Sequence, residues 1–120
     1  MKSGATTKPS RDLEAQEPER QWIELDETLH QKARLAIVSA LLSGGESDFK
    51  TLKANLELTD GNLSSHLSTL EAKGYVAIKK EFLGKRPHTI ISLTQEGSTA
   101  FATYLEVLES ILAQMKGSKQ

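Results

Sequence analysis

Leu58-Thr59-Asp60-Gly61-Asn62-Leu63-Ser64-Ser65-His66-Leu67-Ser68-Thr69-Leu70-Glu71-Ala72-Lys73-Gly74-Tyr75-Val76 decides the fold, together with Lys79-Lys80-Glu81-Phe82-Leu83-Gly84-Lys85-Arg86-Pro87-His88 and Thr89-Ile90-Ile91-Ser92-Leu93 behind it. Thr59 can cap a helix that runs to about Lys73, where Gly74 ends it. Projected at about 100° per residue, Leu63, Leu67 and Leu70 fall on one side with His66 beside them. Gly61, Ser65, Ser68 and Ala72 fall on the opposite side. Asn62 and Thr69 on one flank and Ser64 on the other offer hydrogen bonds. A helix whose outer face is small lets its axis approach another surface closely, and the major groove of DNA is one surface that fits. The plainer alternative is a solvated helix. Against it, exposed helices usually carry Glu, Lys, Arg and Gln, whereas a helical glycine costs up to about 1 kcal/mol.

Tyr75 to Glu81 and His88 to Leu93 alternate as strands do, and Phe82-Leu83-Gly84-Lys85-Arg86-Pro87 supplies the turn between them. Arg86 beside Pro87 at the tip is placed to enter a narrow minor groove, with Lys85 and His88 near the flanking phosphates. Basic side chains also protect sheet edges, and that reading explains Lys79 and Lys80 equally well. It explains an arginine at a turn tip less well.

Upstream, Leu25, Leu29, Ala33, Ala36, Ile37, Ala40 and Leu41 recur at helical spacing. They predict a first helix over 27–43, capped by Asp26 or Thr28 and stopped by Gly44-Gly45. Ser47 or Asp48 can cap a short second helix carrying Phe49, Leu52 and Leu56. With the helix after Thr59 it forms a helix-turn-helix across a three-residue connection. Lys50 and Lys53 on that second helix are candidate phosphate contacts. Thr94 caps a last helix of about 21 residues.

The 120 residues suit one domain with one modest core. Net charge is −1, so no overall basic field points to a polyanion. The distribution is more informative: 76–88 hold Lys79, Lys80, Lys85 and Arg86 against Glu81 alone, whereas 21–75 carry 5 basic and 8 acidic groups. Basic charge is concentrated on the hairpin. Residues 1–20 are poor in apolar side chains and are expected to form a disordered tail, with the domain at 21–116 and a frayed end at 117–120. There is no cysteine, which removes disulfides and thiolate metal sites. No apolar run approaches the roughly 20 residues of a membrane span, and a cytoplasmic protein is expected.

His30, His66 and His88 fall on three different elements without carboxylates at ligand spacing, so no metal is expected. His66 is expected at the core edge, bonded to backbone. No nucleophile turn or phosphate-cradling glycine loop occurs, so neither an enzyme nor a cofactor is expected. On the last helix Phe101, Tyr104, Leu105, Leu108, Ile111, Leu112 and Met115, widened by Val107, form a stripe of about 160°. Part of it is expected to bury against a second subunit, joined by Trp22, Ile23 and Leu25, unless the chain's own first helix and hairpin absorb it all.

Taken together, Ala33-Arg34-Leu35-Ala36-Ile37-Val38, Asp48-Phe49-Lys50-Thr51-Leu52, Leu56 through Leu67, Lys73-Gly74-Tyr75-Val76, Arg86-Pro87 and Ser92-Leu93-Thr94-Gln95-Glu96-Gly97 resemble stand-alone winged-helix transcriptional regulators related to the MarR and ArsR groups, over about residues 25–110. The resemblance implies a mainly α winged helix-turn-helix with a β wing and a long C-terminal dimerisation helix. It further implies a prokaryotic homodimer that binds duplex DNA at an inverted or pseudo-inverted repeat and regulates nearby genes, with repression the expected sign. The recognition helix would be Thr59 through Lys73, with Gly61 at its close approach and bases read by Asn62, Ser64, Ser65 and Ser68. The wing would be Phe82 through Pro87. The chain has no cysteine for the metal site of ArsR sensors and lacks helical turns that surround the MarR dimer pocket; a small-molecule effector is left open. The alternative from another class is a winged-helix module that contacts a protein with the same surface.

Overall fold

The computed structural model describes residues 18–117. The expected N-terminal tail up to residue 17 and the end at 118–120 lie outside them. Helix begins ahead of the domain start expected at residue 21: Pro18–Gln21 form a one-turn helix, α1, continued by a 3-10 turn at Trp22–Glu24. There follow α2 (Lys32–Gly44), β1 (Ser47–Asp48), α3 (Phe49–Leu56), α4 (Asp60–Ala72), β2 (Val76–Leu83), β3 (Arg86–Leu93) and α5 (Gln95–Gly117). Three strands form one antiparallel sheet in the order β1-β3-β2. This is a winged helix-turn-helix with a long last helix.

The first long helix starts five residues later than its apolar spacing predicts, at Lys32. Asp26 does bind the chain ahead of it, accepting from the Leu29 amide at 3.0 Å, but the Tyr75 hydroxyl also donates to the same carboxylate. Residues 27–31 therefore fold as a separate turn that drives Leu29 fully into the core. Gln31, not Asp26 or Thr28, caps α2, accepting from the Arg34 amide at 2.8 Å.

The helix-turn-helix follows its local signals closely. Asp48 accepts from the Thr51 amide at 2.7 Å and starts α3. Thr59 accepts from the Asn62 amide at 3.1 Å and starts α4. The three-residue connection closes through Glu57, which takes the left-handed conformation (φ 55°) without being glycine and sends its amide to the Ala54 carbonyl. Leu52, Leu63, Leu67 and Leu70 are buried in the single core cluster, each worth about 1.5–3 kcal/mol of apolar transfer.

The hairpin is tighter than predicted. Its loop is only Gly84-Lys85, with Leu83 opposite Arg86, so Phe82, Leu83, Arg86 and Pro87 are strand residues and not turn residues. Gly84 has φ 65° and Lys85 does not share a positive φ, the glycine-first pattern of a type II′ turn, whose twist matches the strands. Its root is buried through Val76 and Ile91.

Where α4 ends, the chain is fastened in three directions. The Tyr75 amide donates to the Leu70 carbonyl at 2.9 Å, and the Tyr75 carbonyl accepts from the Thr94 amide at 3.1 Å. The Thr94 hydroxyl donates to the Gly74 carbonyl at 2.6 Å while accepting from the Gly97 amide at 2.9 Å, which caps α5. Gly97 is required by this approach: a Cβ there would stand 2.2 Å from the Tyr75 carbonyl oxygen. Gly97→Ala should therefore lower stability in urea unfolding by about 1–3 kcal/mol, the cost of overpacking against a backbone atom.

Burial, then the Asp26 hydrogen bond and the nearby carboxylates of Asp26 and Glu96, push the Tyr75 phenol from an ordinary value of 10.0 up to about 12. A group raised in the folded state binds its proton more tightly there than in the unfolded chain. Its contribution is complete below pH 10 and is lost as pH rises toward 12. Urea titrations across this range should show that loss, and Tyr75→Phe should be less stable at neutral pH but without this part of the alkaline decline.

Candidate nucleic-acid interface

On α4 the leucine side is buried, and Gly61, Asn62, Ser64, Ser65 and Ser68 are all exposed. No atom of a neighbouring element lies within 4 Å of where a Gly61 Cβ would stand, so α4 has a flat outer surface near its first turn. Thr69 turns its hydroxyl back to the Ser65 carbonyl at 3.2 Å. Thr59 is engaged as the cap. Asn62, Ser64, Ser65 and Ser68 thus form an uncharged hydrogen-bonding face one side chain deep.

A groove separates this helix from the hairpin, lined by Ser64, Leu67 and Ser68 on one side and Ile78, Lys80 and Thr89 on the other, with Phe49 and Glu71 at its ends. Lys80 and Thr89 were not singled out by sequence spacing as part of this surface. They reach it because the register places them opposite each other on the strand face that looks toward α4. Lys85 and Arg86 are exposed at the hairpin tip, and Lys50 is exposed on α3. Lys53 instead holds Asp60 in the first turn of α4 at 2.8 Å, in an exposed pair. Such a pair adds little stability, but it offsets the one acidic group at the start of α4.

His88 does not stand free for a phosphate. Its Nε2 lies 3.3 Å from Asp48 Oδ2, and its Nδ1 lies 3.5 Å from Glu81 Oε2. The reason is β1, which the sequence reading missed: pairing of Asp48 with Ile90 lays the α3 cap beside the β3 side chains. Hydrogen bonds from Thr51, then from His88, hold the Asp48 carboxyl below its ordinary range. His66 also differs from expectation. It bonds a side chain and not the backbone: Arg34 Nη1 donates to its Nδ1 at 3.0 Å, while Arg34 Nε donates to the Thr28 carbonyl at 2.7 Å. Burial and then the Arg34 charge push the His66 pKa down, so the neutral ring ties α4 to α2.

The apolar stripe of α5 is divided. Phe101 and Tyr104 are buried in the chain's own core, their rings stacked with centroids 6.5 Å apart, and the Tyr104 hydroxyl meets His30 Nδ1 at 2.7 Å. Leu25 and Leu108 pack partly against the same core, and Ile111 is half-buried. Leu105 and Leu112 remain 42% and 49% exposed, and Trp22 and Ile23 are each 63% exposed beside α5. Among the described residues no three His, Asp or Glu side chains converge as metal ligands, and no helix is long and apolar enough to cross a membrane.

A helix-turn-helix with a flat polar second helix and a basic hairpin beside it defines a winged-helix DNA-binding module. Residues 33–112 match the winged helix DNA-binding domain family. An uncharacterized protein of Methanocaldococcus jannaschii is 46% identical over 74 residues, which span 60% of this chain and 80% of that protein. The structure of a transcriptional regulator homologue from Pyrococcus horikoshii superposes with a TM-score of 0.68 at 30% identity, over 87% of this chain and all of that one. A MarR-like transcriptional regulator from Thermotoga maritima shares the fold, with a TM-score of 0.54 at 20% identity over 82% and 72% of the two chains. The chain belongs to the winged helix DNA-binding domain family and shares its fold with MarR-like and ArsR-family regulators.

Proposed function

We propose that this protein is a sequence-specific double-stranded DNA-binding transcriptional regulator, a repressor, that acts as a homodimer. One observation carries the reading: the small, uncharged outer face of α4 opens through a single groove onto the hairpin that holds the chain's concentrated basic charge. In this reading α4 enters the major groove, where Asn62, Ser64, Ser65 and Ser68 meet base edges and Thr59 and Gly61 lie close to the backbone. Lys50, Lys80 and Lys85 neutralise phosphates, Lys53 does so in exchange for Asp60, and the wing places Arg86 at the adjacent minor groove. The half-exposed flank of α5 with Trp22 and Ile23 joins two copies, so that two recognition helices meet successive major grooves about 34 Å apart.

The test is fluorescence anisotropy with a duplex from the region upstream of the protein's own gene and a scrambled duplex, at two salt concentrations. Tight binding that prefers the native duplex and weakens steeply with salt is expected, because bound cations release counterions. A weak, salt-insensitive response to both would instead favour a protein-contacting module. Arg86→Ala should weaken binding and reduce the salt slope by about 1 for each copy engaged. Its melting temperature should stay near that of the wild type, since the side chain is exposed. Leu112→Glu should shift sedimentation from dimer to monomer and lower DNA affinity with it, while leaving the fold of each copy intact.

A further inference from the structure

The hairpin tip carries more than cations. Phe82 is 66% exposed and Leu83 is 58% exposed, and Pro87 is exposed opposite Phe82. Strand side chains alternate between faces. The pairs Ile78–Ile91, Lys80–Thr89 and Phe82–Pro87 therefore share one face, and Leu83–Arg86 lies on the other. Ile78, Lys80 and Thr89 line the groove against α4. Phe82 and Pro87 continue that same face outward, roughly 13 Å beyond Ile78 along the strand, past the reach of α4.

We propose that Phe82, braced across the hairpin by Pro87, is a wedge that enters the DNA minor groove and opens a base step there. This rests on the DNA-binding reading above and adds how the wing would read sequence. Duplex DNA is the occupant that fits the surrounding charge. Lys79, Lys80, Lys85 and Arg86 lie at the tip or just behind it, and their acidic neighbour Glu81 stands 3.6 Å from Lys79 Nζ. A minor groove is a narrow slot, about 6 Å wide, with phosphates along both walls, and its base pairs offer flat apolar faces only where a step is opened. An aromatic ring fenced by cations matches it, and apolar side chains inserted between base steps kink the duplex toward the major groove. The step that accepts the wedge would be a flexible pyrimidine–purine step, so specificity at the wing would come from deformability and not from base-edge hydrogen bonds.

The experiment begins with duplexes selected from a random pool by the wild-type protein, then measures bending by energy transfer between dyes at the two ends. The wild type should bend its selected duplex and favour TA or CA steps where the wing lands. Phe82→Ala should bind that duplex about tenfold more weakly, by loss of one ring against the bases. It should lose the bend and the step preference, and keep the salt slope. Arg86→Ala should do the reverse, lowering the slope and keeping the bend. Wild-type affinity and bend in Phe82→Ala would overturn the wedge, and so would a loss of affinity with the bend retained. A change of oligomeric mass in Phe82→Ala would overturn it too, by making the tip a protein contact. Failure of the wild type to select any duplex would overturn the DNA-binding reading itself, a result distinct from each of these.

Discussion

The placement of α4 depends on the fastening around Tyr75. A helix keeps its outer face at a fixed angle to the surface beside it only if it is held at its ends, and α4 ends directly in this joint. Tyr75 gives its amide to α4, its carbonyl to the residue that caps α5, and its hydroxyl to the Asp26 turn ahead of α2. Gly97 permits the close approach, and no other residue type leaves the carbonyl room. The Arg34–His66 contact adds a second tie near the middle of α4. The turn ahead of α2, the end of α4 and the start of α5 are thereby joined at one tyrosine.

The hairpin is built in two parts with different physics. Its root is buried through Val76 and Ile91 and widened by β1. Beyond the root, His88 stands between Asp48 and Glu81, its ring nitrogens 3.3 and 3.5 Å from the two carboxylates, so the α3 cap, β2 and β3 meet at one side chain. Past His88 the side chains of Phe82, Leu83 and Arg86 are exposed and the strands end in a two-residue loop.

The last helix shows how one apolar stripe can serve two surfaces. Phe101, Tyr104 and Val107 turn inward, while Leu105 and Leu112 remain outside, next to the exposed Trp22 and Ile23. A stripe this wide exceeds what one packing seam covers. The fold supplies one seam and leaves the other flank open at the end of a helix about 35 Å long.

Much of the fold and of the candidate site was legible from residues close together in the chain. Asp48, Thr59 and Thr94 act as caps, Gly74 and Gly84 mark ends and turns, and the leucine side of α4 packs inward because these are interactions within three or four residues. The small outer face of α4 and the basic hairpin were visible for the same reason. What tertiary structure alone decided involves partners far apart in sequence. The Tyr75–Asp26 bond converted the predicted start of the first helix into a turn, β1 drew Asp48 to His88, and Arg34 took His66 from the backbone. The division of α5 between inside and outside likewise followed from where the Leu29 turn and α1 come to rest. Periodicity states which residues share a face, but only the packed chain determines what stands opposite that face, because buried charge and apolar area are matched across space and not along the chain.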